Sequence, residues 1–223
     1  MEIKVFKIGG QIVDDADQLQ QFITILSKIK GKKILIHGGG KIASQLCMDL
    51  GIAPKMHNGR RITDESTLKV VVMAYAGWIN KSIVAQLQAK DQNVIGLTGA
   101  DSNFILAHKR QNSAIDYGFA GDIDKVDASV LETILIRDQT PVIAPITHDG
   151  KGQLLNTNAD TIANEIAVAL AYEHSVDLYY LFDKKGVLVN KEDENSLISK
   201  IKISEINDLI DKGIIVDGMI PKI

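Results

Sequence analysis

The sequence predicts an α/β fold, a three-layer sandwich with a central, mostly parallel sheet, helices on both faces and one β-hairpin excursion. Short apolar runs typical of strands alternate with segments of helical apolar period, a pattern typical of parallel sheets covered by helices. With 223 residues, 45% of them hydrophobic and 24% charged, the chain is long enough to bury one sizeable core. No repeat, low-complexity tract or linker interrupts it, which favours one continuous fold.

The first half of the chain consists of predicted strands that end near glycine and continue into helices. These elements are, in order, a strand at 3–8, a helix from Asp14 to Gly31, a strand at 33–36, a helix at 42–50 and a long helix from Thr63 to about Ala89. Thr63-Asp64-Glu65 offers a capping residue and two acids, as a helix N-terminus prefers. This βαβα order predicts parallel strands.

The second half resumes the alternation after an irregular stretch. Its predicted elements are a strand at 94–98, a β-hairpin excursion at 103–123, a short helix from about Asp127, a strand at 141–144, a turn at 148–150, a helix at 159–173 and a strand at 178–181. A boundary between two lobes is expected near 175–183, inside the continuous fold.

The long helix carries two apolar lines, which is more than one buried face requires. They are Leu68, Val71, Val72, Tyr75 and Ile79 on one side, and Val70, Met73, Gly77 and Val84 on another. One line therefore packs on the core, and the other predicts a homodimer formed through residues 64–89. Tyr75 and Trp78 are assigned to the core or to that interface.

Composition excludes several classes of protein. The net charge of -3 comes from 25 basic and 28 acidic residues with no basic block, which argues against binding of duplex nucleic acid. The lone Cys47 rules out a disulfide framework and is predicted to be a packed thiol, and the five scattered histidines predict no metal site. No apolar run reaches the length of a membrane span and no signal peptide is evident, so a cytoplasmic protein is expected.

Two glycine turns predict anion binding. Gly9-Gly10 and Gly38-Gly39-Gly40 each follow a strand and precede a helix, so bare N–H groups gather near a helix N-terminus. Ile42 after Gly40-Lys41 breaks a Walker A pattern, which excludes the P-loop class. The spacing Gly38-x-Gly40-x-x-Ala43 fits a loose dinucleotide motif but lacks the acid expected on the next strand.

Five segments, in order and spacing over nearly the whole chain, resemble the amino-acid-kinase family, and within it the branch that phosphorylates N-acylated glutamate. They are Lys7-Ile8-Gly9-Gly10, His37-Gly38-Gly39-Gly40, Asn58-Gly59-Arg60-Arg61-Ile62-Thr63, Asn156-Thr157-Asn158-Ala159-Asp160 and Asp217-Gly218-Met219-Ile220-Pro221-Lys222. The resemblance implies transfer of the γ-phosphoryl group of ATP to the side-chain carboxylate of N-acetyl-L-glutamate, giving an acyl phosphate in arginine biosynthesis. It also implies Mg²⁺ held mainly by the phosphates.

The resemblance also implies the roles of individual residues. Lys7 would contact the transferring phosphoryl group, Lys222 would stabilise the leaving side, and Asp160 would hold the two lysines in place by charge pairing. Nucleotide contacts fall to Lys7, Gly9, Gly10 and Asp183, and substrate contacts to Gly39, Gly40, Arg61 and Asn156. An ionised carboxylate needs no general base, so fixed positive charge and N–H donors are the groups that this reaction requires. Arginine can pair bidentately with the substrate α-carboxylate, which suits Arg61.

Two alternatives remain open. The first is a kinase for another N-acyl amino acid, such as N-succinylglutamate or a carrier-linked aminoadipate. Residues 103–123, with Tyr117 to Gly121, are expected to shape the acyl pocket, and their sequence does not specify which acyl group fits. The second is a non-catalytic amino-acid or nucleotide sensor on the same fold. A sensor is disfavoured by the presence of Lys7, Asp160 and Lys222, since a protein that binds without catalysis does not require lysines on both sides of the transferring group.

The resemblance also suggests a division of the chain within one amino-acid-kinase domain. A substrate lobe is expected at about 1–175 and the start of a nucleotide lobe at about 176–223. Because the family continues beyond the segment that ends in Lys222, the nucleotide lobe is expected to be incomplete and the natural product a few tens of residues longer. A start directly in the first strand suggests a plain dimer without arginine feedback.

Overall fold

The computed structural model describes residues 1–57, 59–111, 114–182, 186–190, 192–193, 195–216, 219 and 222. It divides into two compact units, Met1–Leu181 and Phe182–Ile223, which are described separately.

The first unit is built on a five-stranded sheet in the order β11-β1-β2-β8-β5, with all neighbours parallel. The strands are β1 Glu2–Ile8, β2 Lys32–His37, β5 Val94–Leu97, β8 Thr140–Ile143 and β11 Ser175–Leu181. Every strand of this sheet overlaps a run that the sequence predicts as a strand. The predicted parallel sheet is therefore confirmed.

Helices cover both faces of the sheet, as predicted for a three-layer sandwich. They are α1 Gly10–Asp14, α2 Ala16–Lys28, α3 Gly40–Asp49, α4 Glu65–Val72, a π-helical segment Met73–Ile79, α5 Asn80–Gln88, α6 Ala128–Ile136 and α7 Ala159–Ala171. Phe6, Ile8 and Leu35 share one core with α2 and α5. Ile34 and Ile36 share the other core with α6 and α7, because alternate strand residues point to opposite faces.

The helix predicted from Asp14 is in fact two helices. Asp15 separates α1 from α2 and accepts hydrogen bonds from the N–H groups of Asp17 and Gln18, each at 3.0 Å. Asp14 consequently belongs to the short first helix. An Asp at the N-cap satisfies donors that have no partner inside the helix, and this cap fixes the start of α2.

The predicted hairpin excursion forms, but it is part of a closed four-stranded barrel. Antiparallel β6 Ile105–Lys109 and β7 Ala120–Val126 are joined by β9 Ile146–His148 and β10 Leu154–Thr157, which the sequence analysis missed. Strands of three or four residues are too short to show a clear period of two. The hairpin of β3 Lys55–His57 and β4 Arg60–Ile62 was missed for the same reason, although Asn-Gly between its strands is a hairpin signal.

The long predicted helix runs from Glu65 to Gln88 and is capped by Asp64, whose Oδ1 accepts from the Thr67 N–H at 2.8 Å, rather than by Thr63. Its middle is the π-helical segment, where Tyr75 and Ile79 are buried while Met73 and Trp78 are exposed. By length and apolar composition alone this one helix among the described residues would be long enough to cross a membrane, which differs from the expectation above. That is weak evidence, because core helices of soluble proteins have the same composition.

The second unit contains a 3₁₀ turn at Ile203–Glu205 and helix α8 at Ile206–Asp211. The Glu205 carboxylate accepts from the Lys202 N–H at 2.9 Å and so caps the 3₁₀ turn, and Lys212 pairs with Asp208 at 2.6 Å. An isolated antiparallel bridge joins Leu188 and Leu197.

Candidate active site

A cleft of about 720 Å³ opens at the carboxyl ends of β1 and β2 in the first unit. Its walls come from both glycine turns, the β3–β4 hairpin, strands β7 and β10 of the barrel and the start of α7. Ligands of parallel α/β sheets bind at this edge, where strand ends meet helix N-termini. The predicted site residues that line the cleft are Lys7, Gly10, Gly39, Gly40, Arg61, Asn156 and Asp160.

The first glycine turn differs in detail from the prediction. The Gly9 N–H donates to the Leu181 carbonyl at 3.1 Å, within the β1–β11 region of the sheet. That donor is already engaged, so the direct phosphate contact predicted for Gly9 is not available in this structure. Gly10 begins α1 and lines the cleft, and it remains the candidate donor of this turn.

The second glycine turn requires glycine at one position. Gly39 has φ of +143°, a conformation that side chains rarely adopt, and a Cβ there would overlap the Ile79 Cδ1 atom. Gly40 follows as the first residue of α3. The π-helical segment therefore packs directly against the backbone of this turn, and no larger residue would allow that approach.

A buried histidine contacts the backbone of the same turn. The His37 ring is fully buried, with Nδ1 2.8 Å from the Gly38 carbonyl and Nε2 3.2 Å from the Asn80 amide nitrogen. The same Asn80 nitrogen donates to the Val142 carbonyl at 2.9 Å, and its side-chain oxygen accepts from Lys81 at 3.1 Å. These contacts require His37 to be neutral, with its proton on Nδ1, and burial lowers the pKa of His37 to about 4, with a smaller contribution from the Lys81 charge.

Lys7 and Asp160 form a nearly buried ion pair at the base of the cleft. Their charged atoms lie 2.6 Å apart, and the two side chains are 9% and 10% exposed. Lys7 projects from β1 near its carboxyl end, while Asp160 lies in the first turn of α7. Tyr180 on the neighbouring β11 donates to the Asp160 carbonyl at 3.2 Å, and burial together with the Asp160 charge raises the pKa of Tyr180 to about 12. The predicted pairing of Lys7 with Asp160 is present.

Arg61 is held in a fixed position at the cleft wall. One guanidinium nitrogen donates to the Gly40 carbonyl at 2.8 Å and to the Ser44 hydroxyl at 2.7 Å. The other terminal nitrogen meets no hydrogen-bond acceptor among the described residues. Since a guanidinium carries donors in a rigid plane, this arrangement leaves a donor for a ligand carboxylate.

Two asparagines of β10 and α7 have different roles. Asn156 donates to the Thr63 hydroxyl at 3.0 Å, which joins the barrel to the residue after β4, and it also lines the cleft. Asn158 caps α7 and accepts from the N–H groups of Asp160 and Thr161 at 2.8 and 3.0 Å. The cap positions Asp160 for its pair with Lys7.

Sequence reasoning missed several charged residues of the cleft. Asp14 lines it with both carboxylate oxygens inaccessible to solvent, and burial raises the pKa of this carboxyl while the Lys41 charge opposes the shift. Arg60 and Arg110 line it as well. A signal existed for Arg60, which lies inside the Asn-Gly-Arg-Arg segment, but nothing in the sequence distinguished Asp14 from the cap Asp15.

Two predicted residues belong to the other unit. Asp183 lies outside the described residues. Lys222 is described, with its Nζ 5.9 Å from the ring centroid of Phe182. No cluster of three or more potential metal ligands of the His, Cys, Asp or Glu type occurs in the described part of the chain.

The fold and the site together indicate a kinase of small molecules, because a parallel sheet carries two glycine turns and a lysine–aspartate pair at one cleft. A comparison with protein families identifies the same class. The chain belongs to the amino acid kinase family, whose family model matches residues 2–223.

Among individual proteins, the chain is 52% identical over 222 residues to acetylglutamate kinase of Phocaeicola vulgatus, covering 100% of this chain and 86% of that protein. It is 50% identical over 222 residues to acetylglutamate kinase of Bacteroides thetaiotaomicron, with the same coverage. A crystal structure of smu.665 from Streptococcus mutans UA159 matches with a TM-score of 0.79 and 28% identity over 99% of this chain and 86% of that one.

Proposed function

We propose that this chain is an ATP-dependent kinase that phosphorylates the side-chain carboxylate of N-acetyl-L-glutamate, in the biosynthesis of arginine. The observation that carries the proposal is the buried Lys7–Asp160 pair beside two glycine turns, in a chain half identical to acetylglutamate kinases. A carboxylate oxygen attacks the γ-phosphorus and forms a new O–P bond, while the bond to the β–γ bridging oxygen breaks. The products are an acyl phosphate and ADP, and no proton moves.

Catalysis of this step depends mainly on stabilising the negative charge of the transition state. The reaction brings a carboxylate to a polyphosphate, so the transition state needs fixed donors in a site with little water. Lys7 supplies a positive charge that Asp160 holds in one orientation, and the N–H groups near Gly10 and Gly40 supply dipoles that need no rearrangement. The Asp160 carboxylate fixes the Lys7 ammonium at 2.6 Å, which favours preorganised stabilisation of the transferring group.

Mg²⁺ is expected to arrive with ATP and to be held mainly by phosphate oxygens. Of the carboxylates that line the cleft, Asp160 is engaged by Lys7, and the oxygens of Asp14 lie inaccessible beside Gly10. Mg²⁺ in kinase sites is commonly bound by one or two carboxylates together with substrate phosphates and water. No step above depends on a protein ligand to the metal.

The remaining nucleotide contacts are assigned to the second part of the chain. We propose that residues from about 176 onward begin the nucleotide lobe, that Asp183 lies near the nucleotide and that Lys222 stabilises the leaving side. The substrate lobe, about residues 1–175, would hold N-acetylglutamate. A cytoplasmic enzyme agrees with the use of ATP and with a single buried thiol at Cys47.

The proposal is tested by ADP release from MgATP with N-acetyl-L-glutamate, together with trapping of the acyl phosphate by hydroxylamine. Free L-glutamate is the matched control, because it lacks only the acyl group. We expect ADP and hydroxamate to appear together and to depend on the acylated substrate. A sensor would release no ADP, and a kinase for another N-acyl amino acid would respond to that substrate instead.

Arg61→Lys is expected to raise KM for N-acetylglutamate by about 10-fold or more while kcat changes little, because a single ammonium cannot keep the contacts to Gly40 and Ser44 and also offer a donor to the substrate, and this loss weakens binding in ground and transition states alike. Initial rates at saturating ATP measure both constants. KM for ATP serves as the internal control and should stay constant. A fall in kcat alone would mean that Arg61 contacts the phosphates.

We also propose that the enzyme is a homodimer formed through residues 64–89. Met73 and Trp78 on this helix are 52% and 71% exposed, although both are large apolar side chains. Such side chains on a helix whose opposite side is buried favour contact with a second copy.

Light scattering at micromolar concentration is expected to give the mass of a dimer, and Trp78→Glu to shift it toward the monomer. Burying a carboxylate in an apolar contact is unfavourable, which gives the direction of the shift. Tyr172→Glu is the matched control, since Tyr172 directly follows α7, is 85% exposed and lies outside this helix. A monomeric wild type, or equal effects of the two substitutions, would contradict the proposed interface.

A further inference from the structure

The π-helical segment Met73–Ile79 lets the long helix keep one face on the core. The buried residues of that face follow one another at intervals of four, at Val71, Tyr75, Ile79, Ile83 and Leu87. On a regular α-helix each such interval turns about 40° past a full turn, so four intervals would rotate the last residue away from the core. The wider turns of the π-helix take up this excess. Such segments are frequent at functional sites.

Asn80 directly follows the π-helical segment and joins α5 to strands β2 and β8. It is buried, and its amide nitrogen lies 3.2 Å from the His37 Nε2 atom and 2.9 Å from the Val142 carbonyl oxygen. Its amide oxygen accepts from the Lys81 ammonium at 3.1 Å. Both N–H donors and the oxygen of this amide therefore have partners, as a buried amide requires.

The edge strand β5 leaves room for this amide at a glycine. A Cβ atom on Gly96 would overlap the Asn80 Oδ1 atom. The φ angle of Gly96 lies outside the left-handed region, so the backbone of β5 does not itself require glycine there. Gly96 also does not line the cleft. The missing side chain therefore serves the position of Asn80 and not the conformation of the strand.

The second glycine turn is held on two sides by groups that meet at Asn80. On one side, the His37 ring contacts the Gly38 carbonyl at 2.8 Å through Nδ1, while Asn80 fixes the opposite ring nitrogen. On the other side, Ile79, the residue before Asn80, packs against Gly39 so closely that a Cβ atom there would overlap the Ile79 side chain. A change in the position of Asn80 would therefore reach the turn by both routes.

The turn offers its remaining donors to the cleft. The Gly38 N–H donates to the Ile8 carbonyl at 3.0 Å, so Gly39 and Gly40, which line the cleft, carry the candidate donors among its three glycines. We propose that Asn80 is a positioning residue for phosphoryl transfer: it holds the histidine ring, and with it the second glycine turn, in the geometry that stabilises the transferring group. This inference rests on the proposed kinase function and adds a residue that does not line the cleft.

The test separates positioning from stability by measuring kcat and KM for MgATP and N-acetyl-L-glutamate. Asn80→Ala is expected to lower kcat about 10-fold or more while both KM values change only a few-fold, because the donors of the turn act chiefly in the transition state. Gly96→Ala keeps the chemistry of Asn80 but displaces its amide, so kcat should fall in the same way. Thermal melts set a temperature at which each variant is folded.

Two further variants show whether the effect passes through the histidine. Thr67→Val is the matched control, because Thr67 is a buried polar residue of the same long helix that does not line the cleft, and kcat should stay within a few-fold. Asn80→Ala should lower kcat less in a His37→Gln background than in the wild type, since residues that act through one another are not additive. If Asn80→Ala does not fold, Asn80→Ser, which keeps one donor, takes its place with a smaller expected loss.

The outcomes distinguish this inference from the proposed function. Absence of ADP release from the wild type would overturn the kinase function, and the inference with it. An active wild type with unchanged kcat in folded Asn80→Ala or Gly96→Ala would overturn only the inference, as would an equal loss of kcat in Thr67→Val. Fully additive effects of His37→Gln and Asn80→Ala on kcat would also overturn it, because Asn80 would then not act through the histidine.

Discussion

Replacing Lys7 by methionine is expected to lower kcat by about 100-fold or more, with a small change in KM for the N-acylglutamate. Methionine keeps the length of the side chain and removes the charge that acts on the transferring phosphoryl group. The variant also leaves the Asp160 carboxylate without the cation at 2.6 Å, so its stability should fall by several kcal/mol, on the order of 3 to 5. Steady-state rates are therefore compared at a temperature where a thermal melt shows the variant folded.

Lys33→Met is the matched control for that experiment. Lys33 is also a buried strand lysine, but its ammonium donates to the carbonyls of Leu26 and Ile29 and to the Gln92 side chain, outside the cleft. Its loss should lower stability while kcat stays within a few-fold. An equal fall of kcat in both variants would show that loss of a buried lysine, rather than a phosphoryl contact, explains the effect of Lys7.

Sequence patterns predicted β1 and β2 because they are mostly buried runs of seven and six residues that lead into glycine turns. The same reasoning failed for β9 and for the β3–β4 hairpin, whose three-residue strands depend on partners far along the chain. The closed barrel cannot be inferred from local periodicity, since its closure is a property of long-range pairing alone.

The candidate site shows the same limit. Motif spacing identified Lys7, Arg61 and Asp160, because each lies in a segment whose order resembles a family. It did not show that Arg60 and Arg110, which are 50 positions apart in the chain, both line this cleft. Charge balance at a site requires the fold, since sequence alone shows only that charges of both signs exist.

The buried histidine beside the second glycine turn is expected to make the stability of the fold depend strongly on pH. The folded-state pKa of His37 is lowered to about 4, against an ordinary value of 6.5. Between these values the unfolded chain binds a proton that the folded chain does not, so stability falls as pH decreases through this window. The loss attributable to His37 should reach about 3 kcal/mol by pH 4 and be absent above pH 7.

Protonation is unfavourable here for a geometric reason as well as for burial. A proton on Nε2 would face the Asn80 amide nitrogen, which is itself a donor. Asn80 cannot simply rotate its amide, because the nitrogen donates to the Val142 carbonyl and the oxygen accepts from Lys81. The positive charge of Lys81 adds to the penalty. The neutral ring therefore keeps its Nδ1 contact with Gly38, and with it the turn that carries Gly39 and Gly40.

Urea unfolding at several values between pH 7.5 and 4 measures this dependence directly. His37→Gln removes the titrating group while keeping an amide able to reach the Gly38 carbonyl, so its stability should fall less steeply with decreasing pH than that of the wild type. His108→Gln is the matched control, because His108 lies half-exposed beside Asp124 on the barrel. A His37→Gln profile parallel to that of the wild type would mean that the acid instability arises from carboxylates elsewhere, and that His37 does not control the glycine turn through its protonation.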